Sequence, residues 1–292
     1  MQKYLVFAYL VGSLAACRND GNTGKDLGVD MAAPPGSDLS ANSTDMAYNY
    51  TAGTIHDVDT SGPTGPYSAK KPVTLTDVIA TTIVRFFQSS DKKTCTYEVF
   101  VQQATCATPP CGLVLHTQAP SKADKTCDKA AAVGGVLANV KQGDKLTVNG
   151  VVDIFQRTDG ADGGAPVTWA QHSMDAKDVT VTASMQTLPT AVDIADPSIF
   201  TTNGSGWAMY EGMLVKISNV TIATGADKFG NFTTSPGGAK WGGAFDFLYR
   251  FTLGSDAGDA PMAGMTYSSI TGVVATVFQG SINATGAADF KQ

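Results

Sequence analysis

Four of the five cysteines lie within one short stretch of the sequence: Cys95, Cys106, Cys111 and Cys127. An even number of cysteines in a single short region is typical of disulfides when a protein is exported. A zinc site would need a CxxC pair or histidines at ligand spacing, and this stretch shows neither pattern. We therefore predict two disulfides here and no bound metal.

Four cysteines allow three pairings. Residues 96–102 and 112–118 have the composition of strands, and they flank the loop that contains Cys106 and Cys111. If these strands form a hairpin, the two loop cysteines face each other. Cys95 then lies at the open end, near the region that leads to Cys127. We favour Cys106–Cys111 nested inside Cys95–Cys127, and the other pairings remain alternatives.

Acid–base chemistry would need polar groups at close spacing, and His172, Asp175 and Asp178 are the nearest approach to such a set. No nucleophile is positioned beside them in the sequence. The chain also has no Gly-x-Ser-x-Gly motif and no phosphate-binding glycine loop with Lys and Ser or Thr. We predict a solvated turn before a strand, no catalytic residue, no cofactor and no enzymatic activity.

Two acidic segments allow a metal interpretation, but neither has a strong ligand pattern. Asp159 and Asp162 lie among glycines and lack the alternating ligands of an EF-hand calcium loop. The tetrad at 56–59, His-Asp-Val-Asp, lies in a polar region that is more typical of a solvated linker. We therefore predict no metal site.

Aromatic side chains are the remaining candidates for ligand contact: Trp207, Tyr210, Trp241 and the segment 245–249. Exposed aromatics on a small barrel stack against bases or sugar rings. Aromatics in small β domains are more often part of the core, and we favour that interpretation. No binding residue is assigned from the sequence.

The N-terminus has the composition of a targeting segment. Lys3 precedes an apolar run at 4–14, which is shorter than the ~20 residues that a membrane-spanning helix needs. Leu14-Ala15-Ala16-Cys17 then resembles the lipobox of bacterial lipoproteins. The resemblance implies cleavage before Cys17, diacylglycerol on its sulfur and an acyl chain on its amine. An ordinary secretory peptide, with Cys17 incidental, is the alternative.

Composition points to an all-β extracytoplasmic protein. Hydrophobic residues make up 43% of the 292 residues, charged residues make up 16%, and there are 31 glycines. The net charge is −6, and the lysines and arginines are scattered. Sequence-independent nucleic-acid binding needs clustered positive charge to displace counterions from phosphates. The charge balance therefore argues against that role.

Composition shifts divide the chain into five segments. We predict a signal peptide at 1–16 and a disordered tether at 17–66, rich in Gly, Asp, Asn, Ser, Thr and Pro. A first β domain with both disulfides follows at 67–186. A connector at 187–209 then leads to a second β domain at 210–292.

Two predicted strands, 146–155 and 269–278, share an internal glycine followed by Val-Val and an aromatic residue. This favours an internal duplication over two strands of one sandwich. A glycine inside a strand indicates a bulge or bend, which a small barrel needs in order to close.

These features resemble the tandem OB-fold-like domains of bacterial exported lipoproteins and secreted nucleases. The resemblance rests on short motifs spread over the chain. They are the strand at 73–84, the segment 141–150, Leu188-Pro-Thr190, Tyr210-Glu-Gly-Met-Leu-Val215 with Val220-Thr221, and the C-terminal strand at 267–274 with Ala287-Ala-Asp-Phe290. It implies two tandem small Greek-key barrels over roughly 71–290. The resemblance implies a fold but no active site, because the catalytic residues of such nucleases lie in a separate domain.

The sequence therefore predicts a lipoprotein of the bacterial cell envelope, held by lipid on Cys17 at the periplasm or the outer-membrane surface. Its barrels would be a non-catalytic binding or scaffolding module for a protein or carbohydrate. The alternative is an oligonucleotide-binding protein that assists a separate nuclease. An enzyme of unrecognised type ranks third.

Overall fold

A computed structural model describes the chain over these residues: 48–62, 64–88, 93–120, 127, 135–156, 170–201, 204–227, 230–242, 261–276 and 280–292. The predicted signal peptide, Cys17, Asp159, Asp162 and the aromatic segment 245–249 lie outside the described residues. The described part is predominantly β and belongs to one compact unit, Ala47–Gln292.

Within the described ranges, the first half contains a short helix, α1 (Ile55–Thr60), and seven strands. The strands are β1 (Thr51–Gly53), β2 (Pro72–Ala80), β3 (Arg85–Gln88), β4 (Thr94–Gln103), β5 (Gly112–Pro120), β6 (Lys145–Gln156) and β7 (Ala170–Ala183).

Five of these strands form a closed barrel. The ring runs β2-β4-β5-β7-β6 and returns to β2. Its neighbours are antiparallel except β5 and β7, which are parallel. Alternate residues point inward along each strand, and the core includes Leu75, Tyr97, Leu115 and Val148. The β6–β7 register shifts next to Gly150, where the sequence predicts a bulge or bend.

The second half repeats this order of pairings, and its second, third and fifth ring strands are much shorter than those of the first half. The strands of this half are β8 (Val192–Asp193), β9 (Leu214–Thr224), β10 (Phe232–Ser235), β11 (Lys240–Trp241), β12 (Thr266–Ala275), β13 (Ser281–Asn283) and β14 (Phe290–Lys291). Pairings connect β9-β10-β11-β13-β12 and return to β9, and β11 and β13 are parallel.

Each half also begins in the same way. A short strand before the ring pairs in parallel with the first ring strand, β1 with β2 and β8 with β9. Helical segments follow that short strand: α1 in the first half, and in the second a 3-10 turn at Pro197–Phe200 and α2 (Gly206–Met209). β6 and β12, which carry the repeated sequence, occupy the same place in the order of pairings. This agreement favours internal duplication.

The end of the predicted tether is folded, which corrects the boundary at residue 66. β1 lies against β2, and α1 buries Ile55 and Val58 in the first core. The helix begins with a capping box, in which the Thr54 and Asp57 side chains each accept a hydrogen bond from the other's backbone N–H. Two apolar residues three positions apart are enough to anchor so short a helix. The tetrad at 56–59 is therefore part of the fold.

The predicted connector at 187–209 is likewise part of the second half, so the boundary at 210 is also wrong. It contains β8 and α2, and it buries Phe200 and Trp207 in the second core. Their rings lie 5.0 Å apart, edge to face. Removing two large aromatic surfaces from water is a strong reason for this segment to fold.

The two halves pack through a third apolar cluster. Phe100 and Val114, on the outer side of β4 and β5, contact Leu214, Val273 and Ala275 of the second half. β4 is buried from Cys95 to Gln102, and this cluster covers its outer side at Phe100.

Backbone atoms complete this contact. The Leu214 N–H donates to Gln102 Oε1 at 2.9 Å. Gly112 and Gly212 lie against each other, and a Cβ on Gly112 would collide with the Gly212 backbone. Gly212 also has a φ of +69°, a conformation that favours glycine.

Cys95 is bonded to Cys127, and Cys106 is bonded to Cys111. This is the nested arrangement that the sequence favours, and β4 and β5 form the expected hairpin. Disulfides indicate an oxidising, non-cytoplasmic location. Within the described ranges, no helix has the length and apolar composition needed to span a bilayer.

Candidate functional site

The structure separates the three residues considered for acid–base chemistry. All lie on β7, but Asp175 accepts a hydrogen bond from Lys177 Nζ at 2.6 Å, and Asp178 lies 3.5 Å from Asn149 Nδ2. His172 lies elsewhere on the strand and contacts a different carboxylate. The predicted solvated turn is therefore wrong, because this segment is strand, and the three residues do not come together as an acid–base set.

His172 belongs to a polar cluster at the junction of the two halves. Asp59 reaches it from the end of α1, and Glu211 reaches it from the turn before β9. One ligand atom from each residue can be chosen so that all three lie within 4.8 Å of one another. His172 Nδ1 and Asp59 Oδ1 are 3.5 Å apart. Three separate segments thus bring two carboxyl groups and one imidazole together.

Glu211 is held by hydrogen bonds from both halves. The His172 backbone N–H donates to Glu211 Oε2 at 2.9 Å, and Thr276 Oγ1 donates to Oε1. Burial raises the pKa of Glu211 to about 8, although both hydrogen bonds favour the ionised form. In the absence of a cation this buried side chain is therefore largely protonated at neutral pH.

Asp59 is buried without a hydrogen-bond partner. Its side chain is 3% exposed, and neither carboxylate oxygen accepts or donates a hydrogen bond. Burial raises the pKa of Asp59 well above its ordinary value, and the neighbouring Glu211 raises it further. Burial also lowers the pKa of His172, which keeps the imidazole neutral and able to offer a lone pair. The cluster has the chemistry of a cation site or of carboxyl groups kept protonated.

A second polar group lies on the outer side of the first barrel. Arg85 of β3 contacts Glu98 of β4, with Nη2 2.6 Å and Nε 3.0 Å from Oε2. The Arg85 guanidinium also lies 4.9 Å from the centre of the Phe100 ring. Both charged side chains are less than 10% exposed. This pair is structural, because it packs beside the contact between the halves.

Trp207 and Trp241 are core residues, as the sequence analysis favoured. Both are about 1% exposed. Trp207 Nε1 donates to the Thr201 carbonyl at 2.8 Å, and Trp241 Nε1 donates to Thr234 Oγ1 at 3.1 Å. Buried rings with satisfied N–H groups stabilise the fold and are not available to stack against a ligand.

Sequence reasoning missed Asp59 and Glu211. Asp59 was assigned to a solvated linker, although it directly follows Val58, which occupies an apolar position of α1. Glu211 is an acidic residue inside the apolar run 207–215, Trp-Ala-Met-Tyr-Glu-Gly-Met-Leu-Val. A lone acid in such a run is a signal for a buried carboxyl group, but its partners are distant in the sequence.

Comparison with known proteins adds no assignment. No protein-family model matches the chain, and no curated protein matches it.

Proposed function

We propose that this chain is a lipid-anchored protein of the bacterial cell envelope whose two halves act together as one non-catalytic binding or scaffolding module. The single observation that carries the proposal is the burial of Phe100 and Val114, on the outer side of β4 and β5, against residues of β9 and β12. This contact joins the halves into one body with a fixed internal surface, which suits a scaffold. The disulfides support an extracytoplasmic site of action.

We propose further that both rings are OB-type barrels. With the ring strands numbered in chain order within each half, the pairings run first-second-third-fifth-fourth-first, and the third and fifth strands are parallel. A five-stranded Greek-key barrel is the OB architecture. An experimental structure that lacks the β11–β13 pairing would overturn this assignment for the second half.

The same contact weighs against the oligonucleotide alternative. OB barrels hold oligonucleotides on their second and third strands, which correspond to β4 and β5. Here the second half covers Phe100 and Val114 on that face. The proposal therefore favours a protein or carbohydrate ligand elsewhere on the surface.

A binding assay distinguishes the two functions. Fluorescence anisotropy at low salt would use a labelled oligothymidine longer than the roughly 16 nucleotides that one OB barrel covers. We expect no saturable binding, and no cleavage of the same oligonucleotide on a denaturing gel. Saturable binding that weakens steeply with salt would favour the alternative. Cleavage that survives further purification would refute the non-catalytic assignment.

Limited proteolysis tests whether the two halves form one module without a flexible connector. A flexible connector would be cut first within 187–209, whereas a connector that buries Phe200 and Trp207 resists cleavage. We expect no early cut in this range. Rapid release of two stable halves would contradict the proposal.

The lipid anchor has its own test. In a bacterial host fed an alkyne-labelled fatty acid, the wild-type chain should be labelled and should fractionate with membranes. Cys17→Ser should lose both the label and the membrane fraction. A double variant, Cys106→Ser with Cys111→Ser, should keep the label because it retains Cys17. Equal labelling of wild type and Cys17→Ser would exclude lipidation at this residue.

A further inference from the structure

Asp59 has no structural explanation in terms of the hydrogen bonds around it. A buried carboxyl group without a partner is costly, and nearly all buried polar groups in folded proteins are paired. Neither oxygen of Asp59 has a partner, and the side chain points toward His172 and Glu211. An additional species at this point would satisfy it.

The surrounding atoms define the chemistry of that species. The groups facing Asp59 offer an imidazole nitrogen and a second carboxyl group, so the set consists of nitrogen and oxygen ligands without sulfur. Such a set suits first-row divalent ions such as Zn²⁺ or Mn²⁺, because imidazole and carboxylate are both among their usual ligands. We propose that Asp59, His172 and Glu211 bind one divalent transition-metal ion at the junction of the two halves.

The neighbouring hydrogen bonds support this role. Metal-binding carboxylates are normally oriented by further hydrogen bonds. Glu211 accepts one bond at each oxygen, from the His172 N–H and from Thr276 Oγ1. A carboxylate has about four lone-pair sites, so both oxygens still have a lone pair to offer. Glu211 is therefore fixed in direction while it remains able to coordinate.

A proton shared between the two carboxyl groups is the alternative explanation. It would appear as a hydrogen bond between Asp59 and Glu211. The structure has no such bond, because both Asp59 oxygens lack a hydrogen-bond partner. A cation accounts for the two unpaired oxygens and for the adjacent imidazole together, so the geometry favours the metal.

The site would join the halves of the protein. Asp59 and His172 come from the first half, and Glu211 comes from the second. A metal held by all three would stabilise the contact between them through its binding free energy. This inference does not depend on the proposed scaffolding function or on the lipid anchor.

The experiment uses the full-length purified protein, stripped with a chelator and dialysed. ZnCl₂, MnCl₂, MgCl₂ and CaCl₂ are titrated separately by calorimetry, with metal content measured by mass spectrometry after desalting. We expect one equivalent of Zn²⁺ or Mn²⁺, and a rise in Tm that the chelator reverses. Asp59→Asn, His172→Asn and Glu211→Gln should each weaken binding by about 100-fold, which is the upper range for loss of a supporting partner and a minimum for a ligand.

Stability measurements separate a lost ligand from a damaged fold. Asp59→Asn removes a buried acid, so its metal-free Tm should equal or exceed that of wild type, while its metal-dependent Tm rise disappears. The matched control is His116→Asn combined with Asp153→Asn, because this second His–Asp pair lies 4.0 Å apart, with side chains 14% and 38% exposed, outside the proposed site. The control should bind metal as wild type does. Absence of bound metal in wild type, or binding unchanged in Asp59→Asn and His172→Asn, would overturn the proposal.

Discussion

The backbone N–H of His172 donates a hydrogen bond to Glu211 Oε2 at 2.9 Å, and this bond connects β7, the last strand of the first half, to the turn that enters the second half. Thr276, at the end of β12, donates to the other oxygen of the same carboxyl group. Glu211 is therefore a single side chain that connects segments from both halves. Its protonation state should influence the stability of the whole described unit.

Glu211→Gln should change how stability depends on pH. The unfolded chain loses the Glu211 proton near pH 4.5, whereas the folded protein keeps it until about pH 8. Between these values the folded state binds more protons, so stability falls as pH rises, by an amount on the order of a few kcal/mol. Asp59, which faces Glu211, contributes in the same direction.

The measurement is the free energy of unfolding in denaturant at pH 5 and pH 8, with a chelator present. The unfolding free energy of wild type should fall between pH 5 and pH 8, and that of Glu211→Gln should fall much less. Asp153→Asn, which removes a carboxyl group that is 38% exposed, serves as the control and should keep the wild-type slope. The same dependence of unfolding free energy on pH in wild type and Glu211→Gln would contradict a raised pKa for Glu211.

Gly112→Ala should destabilise the protein by separating the halves. A Cβ at this position has no space, because the Gly212 backbone occupies it. Overpacking of this kind costs about 1–3 kcal/mol, and more where backbone must move. Gly286→Ala is the matched control, because no atom lies within 4 Å of its added Cβ. Thermal unfolding of the two variants should give a lower Tm for Gly112→Ala alone.

Arg85→Met should cost far more stability than Lys70→Met. The substitution of Arg85 leaves the buried carboxylate of Glu98 without its ion-pair partner. Breaking a buried ion pair costs about 3–5 kcal/mol of stability. Lys70 pairs with Asp153 at 2.6 Å, but the Lys70 side chain is 75% exposed, so its loss should cost less than about 1 kcal/mol. Chemical denaturation of both variants tests this ranking. Equal losses of unfolding free energy in the two variants would show that the buried Arg85–Glu98 pair contributes no more than an exposed pair.

The two disulfides should contribute unequally. Cys95–Cys127 closes a sequence separation of 32 residues, whereas Cys106–Cys111 closes a separation of 5. Loop-entropy reasoning gives about 4 kcal/mol for the first and about 2 kcal/mol for the second. Double alanine variants of each pair, compared by denaturant unfolding, should show the larger loss for Cys95 with Cys127. The reverse order would mean that native packing outweighs chain entropy here.

Sequence reasoning predicted the parts of this fold that depend on local pattern. Alternation and β-branched residues located β4, β5, β6 and β12, and the hairpin geometry favoured the nested disulfides. The regions around Asp59 and Phe200 were missed because polar composition masked a few apolar anchors. Elements as short as β8 gain their stability from tertiary packing, which a local pattern does not record.

The candidate site could not be assembled from the sequence. Asp59, His172 and Glu211 carry no characteristic spacing, because each belongs to a different element and their proximity follows from the packing of the two halves. Glu211 gave the clearest local signal as an acid among apolar neighbours. The neighbours of His172 in the sequence, Asp175 and Asp178, have other partners and gave no indication of the cluster.

The contact between the halves on the outer side of β4 limits how this architecture can change during evolution. The two halves repeat one order of strands, but the first half cannot be detached without exposing Phe100 and Val114 to water. A gene rearrangement that lost or exchanged one half would therefore leave an exposed, aggregation-prone apolar surface on the remaining half. We therefore expect the two halves to be inherited together, as a single evolutionary unit.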